Sequence, residues 1–435
     1  MLYEARRSTN TESQTKIGIY CVSSQSGRAF FADLRTQGFD VYGYVRDSAH
    51  AVQFLDIVRQ QRGLILERPE NKNQEQTHFV PVTEDEMGCD LHKLVWNSDI
   101  IIIAEPSHYL YDTISRLKAE GLSEAGTPVA LVPPRTFAVP YLWRILGSYH
   151  PFICFSTCPY SCKAPAPGIA YIKRRKRNWF ASLEGFFHIQ SIQMVEEIFP
   201  QAVYNHIPAT TSIGNIGAVF HPTPYIMKYD EILQAQQEKR PYSYYVEAIA
   251  RAPEVGAQLE KIDQLRLQIA DALGLKTFGL KGKEHEQEWR RLMEKLRERE
   301  TSLYNDVQGL RKARSDALQT LGDVVTSVQH WLDYTYGVVR IEGESIADAV
   351  GRTPTYQKMS VPQKRYIEED VPSSLLPMMK IAERLRLDTL PFQDVMQRYY
   401  QIFGVKKCGF WRDLEEFSDQ FIIDYLTGKY FEIQD

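Results

Sequence analysis

The residue best suited to acid–base chemistry in this chain is His221, in the stretch 205–230 (NHIPATTSIGNIGAVFHPTPYIMKYD). It follows an apolar, small-residue run and is followed by Pro222 and Pro224. Because imidazole titrates near neutral pH, a histidine that faces a cleft can act as a general acid or base. The alternative is a core histidine whose ring nitrogens are satisfied by its neighbours. Asn215 lies six residues upstream, between Gly214 and Gly217, which leave room for a ligand to approach the backbone.

Length and composition describe an ordinary globular protein. The chain has 435 residues, enough for two domains, with 43% hydrophobic and 24% charged residues. A net charge of -4 and a pI near 6.2 argue against a nucleic-acid-binding protein. We find no apolar run of bilayer-spanning length and no signal-peptide core at the N-terminus, so we expect a cytoplasmic protein. Six cysteines in so long a chain suit a reducing compartment.

Strand-like and helix-like segments alternate after a polar tail at residues 1–15. Residues 16–22 and 39–45 read as strands around a helix at 28–37, which is the size of a mononucleotide-binding βαβ unit. Further strands are predicted at 98–105 and 127–132, with helices near 109–120 and 139–147. This alternation predicts a Rossmann-like, doubly wound parallel sheet, which we assign to residues 16–203.

The turn after the first predicted strand is a candidate dinucleotide-phosphate loop. Cys21 and Ser23 stand where the fingerprint G-x-G-x-x-G has its first two glycines, and Ser26 stands at the third, with Gly27 beside it. Small side chains there, including Ser24, still permit phosphates to approach the helix N-terminus. An ordinary turn is the alternative.

Two more candidates follow predicted strands. An acidic residue after the second strand would bind the adenosine ribose of NAD, whereas an arginine suits a 2′-phosphate. Arg46 stands there, so we expect NADPH rather than NADH as the cofactor. A solvated strand-end arginine is the alternative. Pro106, after the strand at 98–105, completes the predicted cofactor-binding set.

Residues 151–185 contain two patterns to which we assign no chemistry. Cys154, Cys158 and Cys162 are spaced by four, but Pro159 interrupts any helix and no nearby histidine completes a ligand set, so no metal site is predicted. The basic run KRRKR at 173–177 is interpreted as the solvated end of a hairpin, because the protein is acidic overall.

The second domain, residues 204–435, is predicted to be all-α. An amphipathic helix is expected at 259–275, and further helices around 374–387, 391–403 and 411–427. An apolar 4–3 stripe from Trp289 to Trp331 predicts one long helix or a helical hairpin over 283–329. Such a stripe suggests a homodimer, although it could equally fold back on its own chain.

Together these residues resemble a known family. The loop, the segment STCPYSCKAPAPG, the pairing of Asn215 with His221-Pro222, and the phrase RYIEEDVP at 365–372 are similar to the octopine/nopaline (opine) dehydrogenases. FHPTPYIMKYD is also similar to the metallophore-forming staphylopine and pseudopaline type, which implies a place in metallophore biosynthesis. The order of parts fits nearly the whole chain, with 283–329 resembling an insertion.

The resemblance implies roles for individual residues. His221 would be the catalytic acid or base, Asp370 its orienting carboxylate, Arg365 the ligand of a substrate carboxylate, and Asn215 a lining residue. The implied reaction joins the amine of an amino acid, or of an amine derived from one, to a 2-oxo acid such as pyruvate or 2-oxoglutarate, and reduces the imine by hydride transfer. The competing readings are a hydroxy-acid dehydrogenase on the same plan and a non-catalytic interaction protein.

Overall fold

The computed structural model describes residues 15–69, 75–176, 178–303, 321–357, 359–361, 366–404 and 411–435. Most of the predicted N-terminal tail and Arg365 lie outside these ranges. The strands within them are β1 (Lys16–Tyr20), β2 (Asp40–Tyr44), β3 (Gly63–Pro69), β4 (Glu75–Pro81), β5 (Met87–Gly88), β6 (Ile100–Ile103), β7 (Val129–Leu131), β8 (Phe152–Phe155), β9 (Tyr160–Lys163), β10 (Ile169–Arg175), β11 (Trp179–His188), β12 (Ala202–Asn205), β13 (Lys276–Phe278), β14 (Val324–Thr326) and β15 (Phe431–Gln434).

Helices alternate with the first strands and dominate after β12. The α-helices are α1 (Gln25–Thr36), α2 (Ala49–Gln61), α3 (Leu91–Asn97), α4 (Leu110–Ala119), α5 (Leu122–Ala125), α6 (Val139–Leu146), α7 (Ile189–Ile198), α8 (Ala209–Ser212), α9 (Gly217–Phe220), α10 (Pro222–Met227), α11 (Tyr229–Gln237), α12 (Pro253–Ala272), α13 (Glu286–Leu303), α14 (Val328–Tyr336), α15 (Ile346–Arg352), α16 (Leu376–Arg384), α17 (Leu390–Phe403) and α18 (Asp419–Leu426). Short 3₁₀ turns lie at Ser107–Tyr109 and Pro354–Tyr356, and π-helical segments at Val246–Ala250 and Tyr366–Leu375.

The large sheet has the predicted doubly wound form. Its strand order is β12-β11-β8-β7-β6-β1-β2-β5, parallel from β5 through β8, with β11 antiparallel to β8. β6 shows why both faces must be covered, since Ile101 and Ile103 enter one hydrophobic cluster while Ile100 and Ile102 enter another. The carboxyl ends of β1, β2, β6 and β7 therefore share one edge of the sheet, which is where ligands bind in such folds.

The second part is mainly helical, as predicted, but it is not all-α. β13 and β14 form a small parallel sheet, and β15 pairs with β11 of the large sheet. β14 also corrects the predicted helix at 283–329. α13 follows the apolar stripe as far as Leu303, and residues 304–320 lie outside the described ranges, but Val324–Thr326 then forms a strand. The β-branched run Val-Val-Thr fits a strand better than a helix.

The start of the same stripe packs on its own chain. Trp289 and Met293 of α13 are buried in one cluster with Phe278 and Tyr334. Trp289 and Met293 thus have intramolecular partners and lend no support to a homodimer, which remains a prediction. None of the helices in the described ranges combines the length and the apolar character required to cross a membrane.

Candidate active site

His221 lies at the junction of α9 and α10, where local sequence dictates a break. Proline has no N–H to continue a preceding helix but is favourable at a first helical position, so Pro222 starts α10 directly after α9 ends. The histidine side chain keeps 21% of its exposure. Its backbone carbonyl accepts a 2.7 Å hydrogen bond from the Tyr244 hydroxyl, which fixes the junction. The ring therefore stands at the edge of a helical layer.

Asp370, which lies 149 positions further along the chain, contacts His221. Its Oδ2 lies 2.9 Å from Nδ1 of the imidazole, and the carboxylate is fully buried. Asp370 belongs to the π-helical segment Tyr366–Leu375, in which Pro372 cannot donate an N–H to an α-helical ladder. The ring of Tyr366 stacks on the imidazole with a centroid distance of 3.9 Å and an interplanar angle of 2°. The predicted pair is therefore together, with its ring plane set by an aromatic neighbour.

Arg135, which the sequence reasoning missed, completes this charge cluster. It follows β7, and its Nε lies 3.0 Å from Asp370 Oδ1 and 3.4 Å from Glu369 Oε1. Arg135 is almost entirely buried and has a left-handed backbone conformation with φ at 71°. Its position was the signal that could have identified it as a site residue, because Arg135 is a basic residue just beyond a predicted parallel strand. It links the edge of the sheet to the segment that carries Asp370.

Glu369 also connects the turn after β6 to the π-helical segment. The backbone N–H of Ser107, just after Pro106, donates to Glu369 Oε1 at 2.8 Å. The Ser107 and Ser373 hydroxyls lie 3.0 Å apart. Pro106 therefore lies beside the π-helical segment as well as at the carboxyl end of β6. The turn after β6 holds the catalytic candidates against the sheet.

Asn215 is buried beside the histidine. Its Nδ2 donates to Ser374 Oγ at 2.8 Å, and its Oδ1 accepts from the Gly217 N–H at 3.0 Å. A Cβ at Gly217 would lie 2.5 Å from Arg135 Nη1 and 3.4 Å from His221 Nδ1. Glycine is therefore required there by the close approach of the charged groups, and Asn215 positions the turn that brings them together.

One cavity of about 230 Å³ adjoins these groups. Its lining includes His221, Asn215 and Arg135, together with Lys176. The aromatic side chains of its wall are Tyr160, Phe220, Tyr245, Trp331, Tyr336, Tyr356 and Tyr366, and the hydroxyl-bearing serines and threonines are Ser156, Thr157, Ser161 and Thr355. The cavity thus brings an acid–base pair, cations and an apolar wall to one small volume.

The loop after β1 fits the phosphates of a dinucleotide despite its missing glycines. Cys21 takes the left-handed conformation, with φ at 61°, that explains the usual glycine at this position. Ser24 caps α1, because its Oγ accepts from the Gly27 N–H at 2.9 Å, so the helix begins three residues earlier than predicted. A Cβ at Gly27 would lie 2.4 Å from the Cys21 carbonyl oxygen, so Gly27 permits close packing of helix and loop. Ser23 and Ser26 lie in this turn and the first turn of α1.

Arg46 lies at the carboxyl end of β2, beside this loop. Its Nη1 lies 3.3 Å from Glu105 Oε2, and its guanidinium is 5.4 Å from the ring centroid of Tyr109. Burial raises the pKa of Glu105 to about 7, against a hydrogen bond from Thr113 and the charge of Arg46. The Arg46 side chain retains 32% of its exposure, so it is neither fully solvated nor buried.

The three cysteines that are spaced by four lie in two different environments. Cys154 is buried in β8, whereas Cys158 Sγ lies 3.9 Å from Ser26 Oγ and Cys162 Sγ lies 3.7 Å from the Gln25 carbonyl oxygen. A hydrogen bond from Cys162 lowers the pKa of the Cys158 thiol, and the charge of Lys176 acts in the same direction. Within the described ranges, no cluster of three or more His, Cys, Asp or Glu side chains could hold a metal.

The basic run at 173–177 is not the solvated hairpin end that we predicted. Arg175 forms an ion pair with the buried Asp33, and Arg174 lies 4.6 Å from the ring centroid of Tyr336. Lys176 is only 9% exposed. The overall charge of a chain does not decide the environment of a single run: Lys173 is exposed, whereas Arg175 and Lys176 have partners within the molecule.

The helical part of the chain is similar in sequence to a known protein family. The model described as NAD/NADP octopine/nopaline dehydrogenase, alpha-helical domain, matches residues 206–309 and 283–403. An opine dehydrogenase from Arthrobacter sp. (strain 1C) is 23% identical over 313 residues, which cover 70% of this chain and 71% of the relative. Both similarities are to opine dehydrogenases, and they indicate an NAD(P)-dependent oxidoreductase that acts on CH–NH bonds, so the reading of a non-catalytic interaction protein is set aside.

Solved structures show the same fold over almost the whole length of this chain. Octopine dehydrogenase in complex with NADH and agmatine has a TM-score of 0.66 at 12% identity, over 95% of this chain and 98% of that one. Yersinopine dehydrogenase has a TM-score of 0.57 at 16% identity, over 95% of each chain, and the same enzyme with NADP⁺ bound has a TM-score of 0.57. The Rossmann-like sheet followed by a helical domain is therefore confirmed.

Proposed function

We propose that this protein is an NADPH-dependent opine-type dehydrogenase that joins the amine of an amino acid, or of an amine derived from one, to a 2-oxo acid such as pyruvate or 2-oxoglutarate. The observation that carries the proposal is that His221, on the wall of a cavity at the carboxyl edge of the sheet, is paired with the buried Asp370 behind it. Pyruvate and arginine or agmatine occur in the octopine dehydrogenase complexes, which supports this substrate class.

His221 supplies the proton transfers in the proposed mechanism. Condensation of an amine with a carbonyl needs a proton donor as water leaves the carbon, and imidazole can donate and recover that proton near neutral pH. Asp370 on Nδ1 keeps the ring in one tautomer and stabilises its charged form, so Nε2 is the atom that we assign to the proton transfer. Arg135 on the opposite carboxylate oxygen holds Asp370 in place.

The cofactor is assigned to the edge formed by β1 and β2. The backbone at Ser23, Ser24 and the start of α1 would hold the pyrophosphate, and Arg46 would hold a 2′-phosphate. When bound, the reduced nicotinamide supplies the hydride. Yersinopine dehydrogenase has NADP⁺ bound, which supports a phosphorylated cofactor here. Octopine dehydrogenase has NADH bound, so a titration with both cofactors is needed to measure the preference of this protein.

Arg365 is proposed to bind the carboxylate of the 2-oxo acid. Five positions separate it from Asp370, and a bidentate guanidinium is the best side chain for a carboxylate.

A cytoplasmic homodimer acting in metallophore biosynthesis, with domains at 16–203 and 204–435, also remains a proposal from the sequence. β12 ends at Asn205, just past this boundary.

The discriminating experiment measures cofactor oxidation with a 2-oxo acid in the presence and absence of amino acids. Turnover that requires both substrates, with a product that contains a new secondary amine by mass spectrometry, supports the proposal. Equal reduction of the oxo acid alone would instead identify a hydroxy-acid dehydrogenase and overturn it.

A further inference from the structure

Lys176 is a buried cation in the wall of the cavity that holds His221. It is 9% exposed, follows β10 and precedes β11. Its ammonium group donates to the Thr157 hydroxyl and lies 5.7 Å from the ring centroid of Tyr336. Neither contact supplies a negative charge. Burying a charge is costly unless a counter-charge accompanies it.

The described surroundings provide no carboxylate as a counter-charge, and the acidic group beside Lys176 is the Cys158 thiol, whose pKa the Lys176 charge helps to lower. In the described part of the chain, no carboxylate oxygen lies within ion-pair distance of Lys176, and the cavity lining contains no aspartate or glutamate. Arg135, the arginine of the described cavity lining, is already compensated by Asp370 and Glu369. Hydroxyl groups of Ser156, Thr157 and Ser161 surround the same wall, and hydroxyls can donate to an anion. The wall is therefore built to receive a small anion.

We propose that Lys176 binds the α-carboxylate of the amino-acid substrate. This inference rests on the proposed function, because joining an amino acid to a 2-oxo acid brings two carboxylates into one site. Arg365 is assigned to the oxo acid, close in sequence to the partner of His221. Lys176 lies in a different segment, between β10 and β11. It is therefore a separate cation, which can hold the second carboxylate. The substrate class is an amine that carries a carboxylate, rather than a simple amine.

The test compares an amino acid with the amine left by its decarboxylation. The candidate pairs are alanine with ethylamine, leucine with 3-methylbutylamine and arginine with agmatine, and the pair whose amino acid the wild type uses best is chosen. Lys176→Met removes the charge but keeps the length of the side chain, and Lys176→Arg keeps the charge. Lys173→Met, at an exposed position of the same basic run, is the matched control.

Loss of one charge-assisted contact should raise KM for the amino acid by roughly 10- to 100-fold in Lys176→Met. KM for the decarboxylated amine and for the 2-oxo acid should stay within about 2-fold, since neither uses this contact. Lys176→Arg should recover part of the loss, and Lys173→Met should match the wild type. Lys176→Gln provides a second neutral variant if the methionine variant does not fold.

Other outcomes overturn the inference. An unchanged KM for the amino acid, an increase confined to the 2-oxo acid, or a weakened affinity for NADPH alone would each assign Lys176 elsewhere. Absence of amine-dependent turnover in the wild type would instead overturn the proposed function itself, which makes the two failures distinguishable.

Discussion

Arg135 Nε lies 3.0 Å from Asp370 Oδ1, on the opposite carboxylate oxygen from the one that faces His221. A residue from the edge of the parallel sheet and a residue from the helical domain thus share one buried carboxylate. The proposed proton-transfer pair depends on the docking of the two parts of the chain, since a cation beyond β7 contacts the partner of the histidine.

His221→Ala should lower kcat by about 10²- to 10⁴-fold, because it removes the proposed proton donor. Cofactor affinity should persist, since the histidine is not among the residues assigned to the cofactor. Steady-state kinetics and a fluorescence titration with NADPH measure the two quantities. His206→Ala, an exposed histidine in the same stretch, is the control and should behave as the wild type. Turnover close to wild type in His221→Ala would contradict the assignment.

Gly217→Ala should reduce kcat while the protein stays folded. The added methyl would lie 2.5 Å from Arg135 Nη1 and 2.9 Å from Asn215 Oδ1, so the groups around His221 must shift. Gly351→Ala in α15 is a matched control, because its nearest neighbour would be Ala250 Cβ at an ordinary 3.5 Å. The control should keep full activity and gain about 0.5–1 kcal/mol of stability in denaturant unfolding. Equal activity in the two variants would show that this turn tolerates displacement.

Arg135→Met should lower the free energy of unfolding by about 3 kcal/mol, because it leaves the buried carboxylates of Glu369 and Asp370 without this cation. Urea denaturation measures the loss. Arg144→Met removes an ion pair with Glu416 in which both side chains are more than half exposed, and should change stability by less than about 1 kcal/mol. Similar values for the two variants would mean that Arg135 is not needed to compensate the buried acids.

Arg46→Ala should weaken NADPH binding by roughly 10-fold or more while NADH binding changes little, because only NADPH carries the 2′-phosphate that a guanidinium would hold. Direct titration with each reduced cofactor measures both affinities. Arg116→Ala, which alters an exposed ion pair with Asp112, serves as the control. A clear preference of the wild type for NADH would remove the basis of this assignment.

Glu184 should make stability depend on pH. Burial raises the pKa of this carboxyl to about 7, although the Ser182 and Tyr425 hydroxyls bond to it. Between pH 4.5 and 7 the folded state therefore binds more protons than the unfolded state, so this group's contribution falls as pH rises, by up to roughly 3 kcal/mol.

Glu184→Gln should remove that dependence. Its unfolding free energy relative to the wild type should rise between pH 5 and pH 8 by up to roughly the same 3 kcal/mol, as measured by urea unfolding at both values. Glu432→Gln, at an exposed position of β15, should shift by less than about 0.5 kcal/mol at either pH. A pH-independent difference for Glu184→Gln would contradict a raised pKa.

Local sequence information was enough for the elements and for part of the site. The period of apolar residues predicted the strands and helices around the loop after β1, and His221 stood out because Pro222 and Pro224 follow it. The same reasoning failed at Val324–Thr326, where a 4–3 apolar spacing continued across a strand. Spacing reports which residues are apolar, but partner strands such as β13 decide which element they form.

The sequence by itself determined the Rossmann-like sheet, the break at His221 and, through the resemblance to the opine dehydrogenases, the pairing of His221 with Asp370. Only the tertiary structure decided that Arg135 and Glu369 belong to the same charge cluster and that Lys176 is buried in the cavity wall. The reason is physical. Helix and strand patterns arise from neighbours a few positions apart, whereas the environment of a charge depends on groups that meet only after distant segments have packed.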